Sequence, residues 1–436
     1  MSILKFKNKT QLRPDVLSFS DYNISTENIS ENAKEVIYKL YDNGFEAYLV
    51  GGCIRDMMAG VQPKDFDIVT SARPEQIRNL FSNSRLIGRR FRLAHVLFGS
   101  EFVEVATFRA LHGFTGASGA ASNKEGRIIK DNIYGKIEED VLRRDFTVNS
   151  LYMDIQNHTI IDYLGGAKDL ANQCIRLIGD PETSYREDPV RILRAIRFSS
   201  KLDFKIEGTA AKLIPQFSDS LDTISPSRLF DEAIKIFHCG ASQKALNLLI
   251  EFDLLEKLFP HTVALLKDTP EKYEPFFQEA LRSTDARVQQ NLPLNPAFLF
   301  CVFLWPVISK LKSELNPGEF SEWNAFRLCG TRALEIQARN TTIPKYYIKT
   351  AKDIWALQSR FAQTKKANAR KLLKHPKFRA AYDFLCLRLF EDETLSPTCK
   401  WWTDIQELPE FQHVLSRAKK AGYQRYKDKK DKRDYR

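Results

Sequence analysis

Long apolar runs and closely spaced cysteines are both missing from this chain of 436 residues. The longest apolar stretch, Ala297 to Ile308, has 12 residues and contains Pro306, whereas a membrane-spanning helix needs about 17–25. That argues against a span and predicts a buried helix, with Asn295 as N-cap and Pro296 at its first position. The opening MSILKFKNKT has lysines but no apolar segment behind them, so no secretory signal is expected and the cytoplasm is the default location. Seven cysteines, at 53, 174, 239, 301, 329, 386 and 399, are far apart, odd in number and form no C-x-x-C pair. Neither a disulfide framework nor a zinc site is expected from them, only reduced and mostly buried thiols. No internal repeat is found.

What is present is an ordinary globular composition, 43% hydrophobic and 28% charged. A single core stops growing at about 250–300 residues, so two or three domains are expected. Charge is unevenly placed. Arg417 to Arg436 holds ten Lys/Arg against three Asp, a net +7, leaving +4 of the total +11 for the other 416 residues. Such a tail is too poor in apolar side chains to fold alone, and it either neutralises nucleic-acid phosphates or serves as a solubility tail.

From Ser20 to about Phe108, short apolar runs (Ala47–Val50, Phe66–Val69, Ala94–Phe98, Phe102–Ala106) alternate with helical patterns at Glu31–Asn43 and Pro74–Phe81. A Gly/Ala/Ser-rich stretch, Leu111 to Gly126, reads as a mobile loop. Leu151–Ile155 and Thr159–Tyr163 read as a hairpin, and from about Asp188 to Glu410 the pattern is helices punctuated by Gly and Pro. The expected order is an N-terminal extension (1–25), an α/β head (26–165), a helical neck (166–255), a helical body (256–412) and the basic tail (413–436).

The head holds the chemistry. Leu49-Val50-Gly51-Gly52-Cys53-Ile54-Arg55-Asp56 is an apolar strand running into a double glycine that opens a helix. Lys64-Asp65-Phe66-Asp67-Ile68-Val69-Thr70 follows as a strand with two acids. Residues two apart in a strand share a face, roughly 7 Å apart at Cα, so Asp65 and Asp67 are expected to point the same way. Two carboxylates side by side repel unless a cation compensates them, and Mg²⁺ suits hard oxygen ligands while leaving positions open for substrate phosphates. Glycines let backbone N–H groups approach a phosphate at a helix N-terminus, and Arg55 adds charge there. Each piece alone has a plainer reading, a surface loop for D-x-D and a turn for G-G; in this order and spacing they are specific. Glu104, an acid inside the apolar run Phe102–Ala106, is a candidate third carboxylate or else an edge-strand charge that discourages aggregation.

The G-G-x-x-R-D and D-x-D arrangement resembles the head of the DNA polymerase β-like nucleotidyltransferases. Asp140-Val-Leu-Arg143-Arg144-Asp145-Phe146-Thr147 resembles the R-R-D-F-T motif of their tRNA nucleotidyltransferase/poly(A) polymerase family. By that resemblance Asp145 belongs to the active site and Arg144 lies near ribose or phosphates; a local ion-pair network would use the same residues. Arg186-Glu187-Asp188-Pro189-Val190-Arg191-Ile192-Leu193-Arg194 matches the family's E-D-x-x-R motif, which is implicated in protein-templated base selection. Glu187, Asp188, Arg191 and Arg194 are therefore expected at the substrate. An aspartate accepts and an arginine donates, so Asp188 with Arg191 complements the pairing edge of adenine or cytosine rather than guanine or uracil. A helix cap plus ion pair is the plainer reading of the same residues. Arg228, Glu232 and Lys235 share one helical face and resemble the family's neck motif, or form a solvated charge stripe.

Those motifs do not separate poly(A) polymerases from CCA-adding enzymes. Leu86-Ile87-Gly88-Arg89-Arg90-Phe91-Arg92-Leu93-Ala94-His95-Val96-Leu97-Phe98 resembles the signature of the bacterial poly(A) polymerases, and Arg89, Arg90 and Arg92 could grip primer phosphates. The resemblance implies two Mg²⁺ ions, ATP as substrate, and RNA 3′ ends of little sequence preference as partner. Addition of CCA or A to tRNA, and a catalytically silent RNA-binding protein, are the two competing expectations.

Overall fold

The structure is a computed structural model that describes residues 12–88, 92–110, 120–122, 128–131, 133–414 and 416, with 120–122 and 128–131 described as backbone alone. The chain divides into two compact units, Met1–Ser220 and Leu221–Arg436, so the division falls inside the segment expected to be the neck.

The first unit carries β1 (Asp15–Ser18), α1 (Glu31–Asp42), β2 (Ala47–Val50), α2 (Gly52–Met58), β3 (Asp67–Thr70), α3 (Pro74–Leu80), β4 (Ser84–Ile87), β5 (Leu93–Phe98) and β6 (Glu101–Thr107). After the short pair β7 (Ala120–Ser122) and β8 (Ile128–Asp131) come α4 (Ile137–Val141), β9 (Leu151–Asp154), β10 (Thr159–Asp162) and α5 (Gly166–Ala171). Then follow β11 (Cys174–Ile175), α6 (Pro181–Glu187), α7 (Val190–Leu202), β12 (Lys205–Ile206) and α8 (Gly208–Phe217).

Eight strands form one mixed sheet in the order β1-β10-β9-β2-β3-β6-β5-β4, in which β3 and β6 run parallel and the other neighbours antiparallel. The hairpin expected from Leu151 to Tyr163 is β9 and β10. β1 pairs with β10 at the sheet's edge, so part of the expected N-terminal extension is built into the head. Alternation assigns the faces. Leu49, Ile68, Val105 and Met153 turn to a core roofed by Val36 and Leu40 of α1, Ile54 and Met57 of α2, and Ile77 of α3. On the other face Val50, Val69, Phe108 and Tyr152 meet Ile137 and Val141 of the short α4. Asp67 and Glu104 fall on this second face, beyond the patch that α4 covers.

The second unit is all helix among the described residues: α9 (Pro226–Phe237), α10 (Ser242–Glu251), α11 (Leu255–Leu258), α12 (Pro260–Asp268), α13 (Pro270–Gln289) and α14 (Pro296–Ser313), then α15 (Glu322–Gln337), α16 (Lys345–Phe361), α17 (Lys366–Leu372), α18 (Phe378–Leu387) and α19 (Ser396–Glu407). The apolar run at Ala297 is α14, capped by the Asn295 side chain accepting from the Ala297 N–H at 3.0 Å, with Pro296 in its first turn. By length and composition α14 could cross a membrane, but from Leu299 to Ile308 it is buried in this unit, so it reads as a core helix. Phe300 and Phe303 on it stack against Phe230 and Phe259. Burying such rings contributes roughly 2–3 kcal/mol each. The tryptophan N–H groups inside are satisfied: Trp402 donates to the Phe361 carbonyl at 2.8 Å and Trp355 to that of Cys301 at 3.4 Å.

Candidate active site

β2 ends at Val50, and Gly51 turns the chain with φ +80° and ψ −128°. A Cβ is strained there, so glycine is required for the turn. The Gly51 N–H is already spent on the Leu151 carbonyl at 3.3 Å. The donors of the first turn of α2, from Gly52 and Cys53, lack intrahelical acceptors.

Arg55, expected to add charge at a triphosphate, is 2% exposed. Its guanidinium bonds Asp56 through Nε at 2.9 Å and Nη2 at 2.6 Å, and Asn149 through Nη1 at 2.7 Å. These bonds tie α2 to the turn before β9.

Asp67 opens β3, whereas Asp65 lies two residues before the strand begins. The expectation that both sit in one regular strand is therefore corrected, because the chain enters the sheet only at Asp67. Both keep surface open to solvent, although neighbours crowd the Asp67 carboxyl closely enough to desolvate it. Across the parallel ladder the register partner of Asp67 is Glu104, and the partner of Glu104 on β5 is His95, 3.6 Å away between side chains. β6 lies between β3 and β5, so the edge-strand explanation of Glu104 fails. Desolvation, then the charges of Glu104 and Asp65, push the Asp67 carboxyl from the usual 3.8 up to about 6, against the pull of Arg144 and His95. Burial holds His95 below its usual value. Among the described residues, no three His, Cys, Asp or Glu side chains are gathered closely enough to enclose a metal ion. A Mg²⁺ site needs only one or two carboxylates, with waters and substrate phosphates completing it, so crowded acids on an open face still fit that ion.

Asp145 is held by partners of its own. Its carboxylate accepts from Arg194 Nε at 2.6 Å, from the Phe146 N–H at 2.9 Å and from Asn149 Nδ2 at 3.4 Å. Burial opposes its ionisation, but Arg194, Arg191 and the Phe146 N–H together outweigh it and hold the carboxyl below its usual range. Arg194 is thereby committed to pinning α7 to the R-R-D-F-T segment. Arg191 donates to Ser184 Oγ at 2.6 Å and to the Arg143 carbonyl at 3.4 Å, with Glu187 at 3.8 Å. Asp188 is the C-cap of α6, and its side chain accepts from the Val190 N–H at 3.3 Å; Pro189 takes the N-cap position of α7. The cap reading and the base-selecting reading of Asp188 are compatible, since a carboxylate has further lone pairs.

Arg92 pairs with Glu75 at 2.7 Å. Arg89 and Arg90 lie outside the described residues, as do most of the loop from Leu111 to Gly126 and the segment from Arg417 to Arg436. In the second unit Arg228 and Lys235 sit on α9, but Glu232 between them is 4% exposed, which rules out a fully solvated stripe. Asp140, Asn149 and Tyr152 were given no role from the sequence. The available signal for Asp140 was its place four residues before Arg144, a spacing that pairs side chains on a helix.

Three family profiles match the chain: "Poly A polymerase head domain" over residues 47–176, "Probable RNA and SrmB- binding site of polymerase A" over 203–266, and "Polymerase A arginine-rich C-terminus" over 318–436. Poly(A) polymerase I of Escherichia coli is 44% identical over 397 residues, 90% of this chain and 85% of its own length. The chain belongs to the poly(A) polymerase family. A second poly(A) polymerase I, from Haemophilus influenzae, is 43% identical over 90% of this chain and 88% of its own length. Similarity to a CCA-adding enzyme of Lactobacillus helveticus is thinner, 35% over 58% of this chain and 61% of that protein. In fold the chain resembles the Bacillus stearothermophilus CCA-adding enzyme crystallised with CTP, at TM-score 0.58 and 23% identity, covering 88% of this chain and 82% of that one. The head profile of the poly(A) polymerase family spans the double glycine, the acids at 65, 67 and 104 and the R-R-D-F-T segment.

Proposed function

We propose that this chain, a polynucleotide adenylyltransferase by its family, adds AMP from ATP to RNA 3′ ends of little sequence preference and releases pyrophosphate. The observation that carries this reading is the strand pairing of Asp67 with Glu104 beside Asp65. Carboxylates crowded on one open face disfavour their own ionisation, and a divalent cation relieves that cost. Asp65 and Asp67, with Glu104 adjoining, would hold two Mg²⁺ ions. Such a pair, when bound, supplies activation of the attacking hydroxyl and stabilisation of the leaving oxygens in an in-line displacement.

The chain's own groups do the rest. The Gly51–Gly52 turn lets the first-turn donors of α2 approach phosphate oxygens, and Arg144 adds positive charge on the side of Asp67. Asp145 and Arg194 lock α7 in place, which fixes where Asp188 and Arg191 meet the adenine edge. Arg228, Lys235, Arg92 and the basic segment 417–436 would hold the RNA, with Arg89 and Arg90 beside Arg92 in sequence.

Purified protein offered ATP or CTP singly, with unrelated RNA and with tRNA lacking its 3′ end, tests the reaction. Long tails from ATP alone on unrelated RNA are expected; CTP-dependent, length-limited addition confined to tRNA would overturn the reading. Asp65→Ala and Asp67→Ala should each lower AMP incorporation by at least a hundredfold while RNA binding persists. Near wild-type turnover in either variant would remove that residue from the metal site.

A further inference from the structure

The carboxylate of Asp140 is 6% exposed and receives donors from three segments of the head. Its Oδ1 accepts from the Arg109 N–H at 3.2 Å, just past the end of β6. Its Oδ2 accepts from Arg144 Nε at 3.1 Å, Arg144 Nη2 at 2.8 Å and the Tyr152 hydroxyl at 2.8 Å. The Tyr152 hydroxyl in turn accepts from Arg144 Nε at 2.9 Å, and the Tyr152 ring faces the guanidinium with its centroid 5.1 Å away. One edge of the guanidinium and one of its faces are thus fixed. Its Nη1 donates to no described residue, and the side chain keeps 23% of its surface open.

A buried Arg–Asp pair adds little stability over apolar side chains of the same volume, because desolvating two charges offsets their attraction. Its value lies in geometry: a planar donor held on one edge presents the other without further ordering cost. Strand register places this clamp near Asp67: Tyr152 pairs with Val50 on β2, and Val50 pairs with Asp67 on β3, so the ring that carries Arg144 and the Asp67 carboxylate stand in one row on the same face of the sheet.

We propose that Asp140 and Tyr152 are positioning residues that hold Arg144 so that its Nη1 meets a phosphate oxygen of the incoming nucleoside triphosphate beside Asp67. This rests on the active-site assignment made under the proposed function. It adds two residues to that site which act through a third.

A double-mutant cycle tests it, read as KM for ATP and, separately, KM for the RNA primer. Tyr152→Phe keeps the ring and removes the hydroxyl, and should raise KM for ATP roughly five- to tenfold with little change in KM for RNA. Arg144→Ala should raise it at least as far. Adding Tyr152→Phe to Arg144→Ala should then cost nothing more, because the arginine through which the phenol acts is gone. Effects that multiply in the double variant, or an unchanged KM for ATP in Tyr152→Phe, would overturn the proposal. Should Tyr152→Phe lower the melting temperature, Asp140→Asn goes through the same cycle, and a structural role alone would raise both KM values together. Asp67→Ala run alongside separates the two readings. If it stays active the site assignment itself fails; if it is silent while the cycle is multiplicative, only the clamp fails.

Discussion

Asp67 is the residue at which folding and function oppose each other. Its carboxyl is pushed up to about 6 by desolvation among its neighbours and by the charges of Glu104 and Asp65, so the folded protein binds this proton more tightly than the unfolded chain does. The stabilising contribution is present below the ordinary aspartate value of 3.8 and is lost as pH rises through about 6. Near pH 8 the metal-free protein carries the full cost of the ionised form. Asp67→Asn should therefore melt at a higher temperature than the parent at about pH 8 in a chelator, with the gap closing toward pH 4. Mg²⁺ should raise the parent's melting temperature more than the variant's, since the variant lacks one of the charged ligands and keeps only Asp65 and Glu104. Thermal melts at the two pH values, with and without Mg²⁺, check this; a variant less stable than its parent at the higher pH would contradict it. The sequence made the acids visible as a D-x-D pair and an acid in an apolar run. Their ranking was not legible: strand register brings Glu104 to Asp67, and pairing between residues far apart in sequence is a tertiary fact. The anchoring of Arg55 was not legible for the same reason, because Asn149, its buried partner, is distant in sequence.

At the scale of elements, periodicity located β2, β3, β5, β6 and the β9–β10 hairpin, each written as an apolar run bounded by turn residues. It did not reveal β1 or β4. Val16 of β1 is 62% exposed, and both strands lie at the edges of the sheet, where half-solvated positions erase the alternation that marks a strand. Helices of the second unit were legible as a class, and their packing was not. α15 and α16 approach closely at Gly330: a Cβ there would come within 2.8 Å of Trp355 Cε3. That ring is fully buried and its N–H is tied to the Cys301 carbonyl, so it has little room to yield. Gly330→Ala gains about 1 kcal/mol of helix propensity but forces overpacking that costs about 1–3 kcal/mol. A net loss of about 1 kcal/mol in urea unfolding is expected, with KM for ATP unchanged because the substitution lies in the second unit. A stabilised variant would mean that the Trp355 ring shifts at little cost.

Across the whole molecule, charge is divided as sharply as chemistry is. The head places its acids and arginines in fixed pairs, whereas net positive charge concentrates in Arg417–Arg436, with +7 of the total +11. Fixed pairs have a geometry that can select a small ligand; a dense run of like charge has no such geometry, and binds polyanions by releasing the counterions condensed on them. The arginine-rich family profile that covers 318–436 agrees with that placement. An enzyme that accepts unrelated 3′ ends needs affinity of this kind, because base-specific contacts would restrict its primers. Deleting 417–436 should therefore weaken binding to unrelated single-stranded RNA at about 0.1 M salt and flatten the plot of log affinity against log salt, each lost phosphate contact removing about 0.7 from the slope. KM for ATP should not move, since the nucleotide site is assigned to the head. Filter binding across a salt series, paired with ATP kinetics at saturating RNA, separates the two. A truncated protein with an unchanged slope would show that these cations contribute solubility alone, and the RNA-holding role would then rest with residues such as Arg228 and Lys235 on α9.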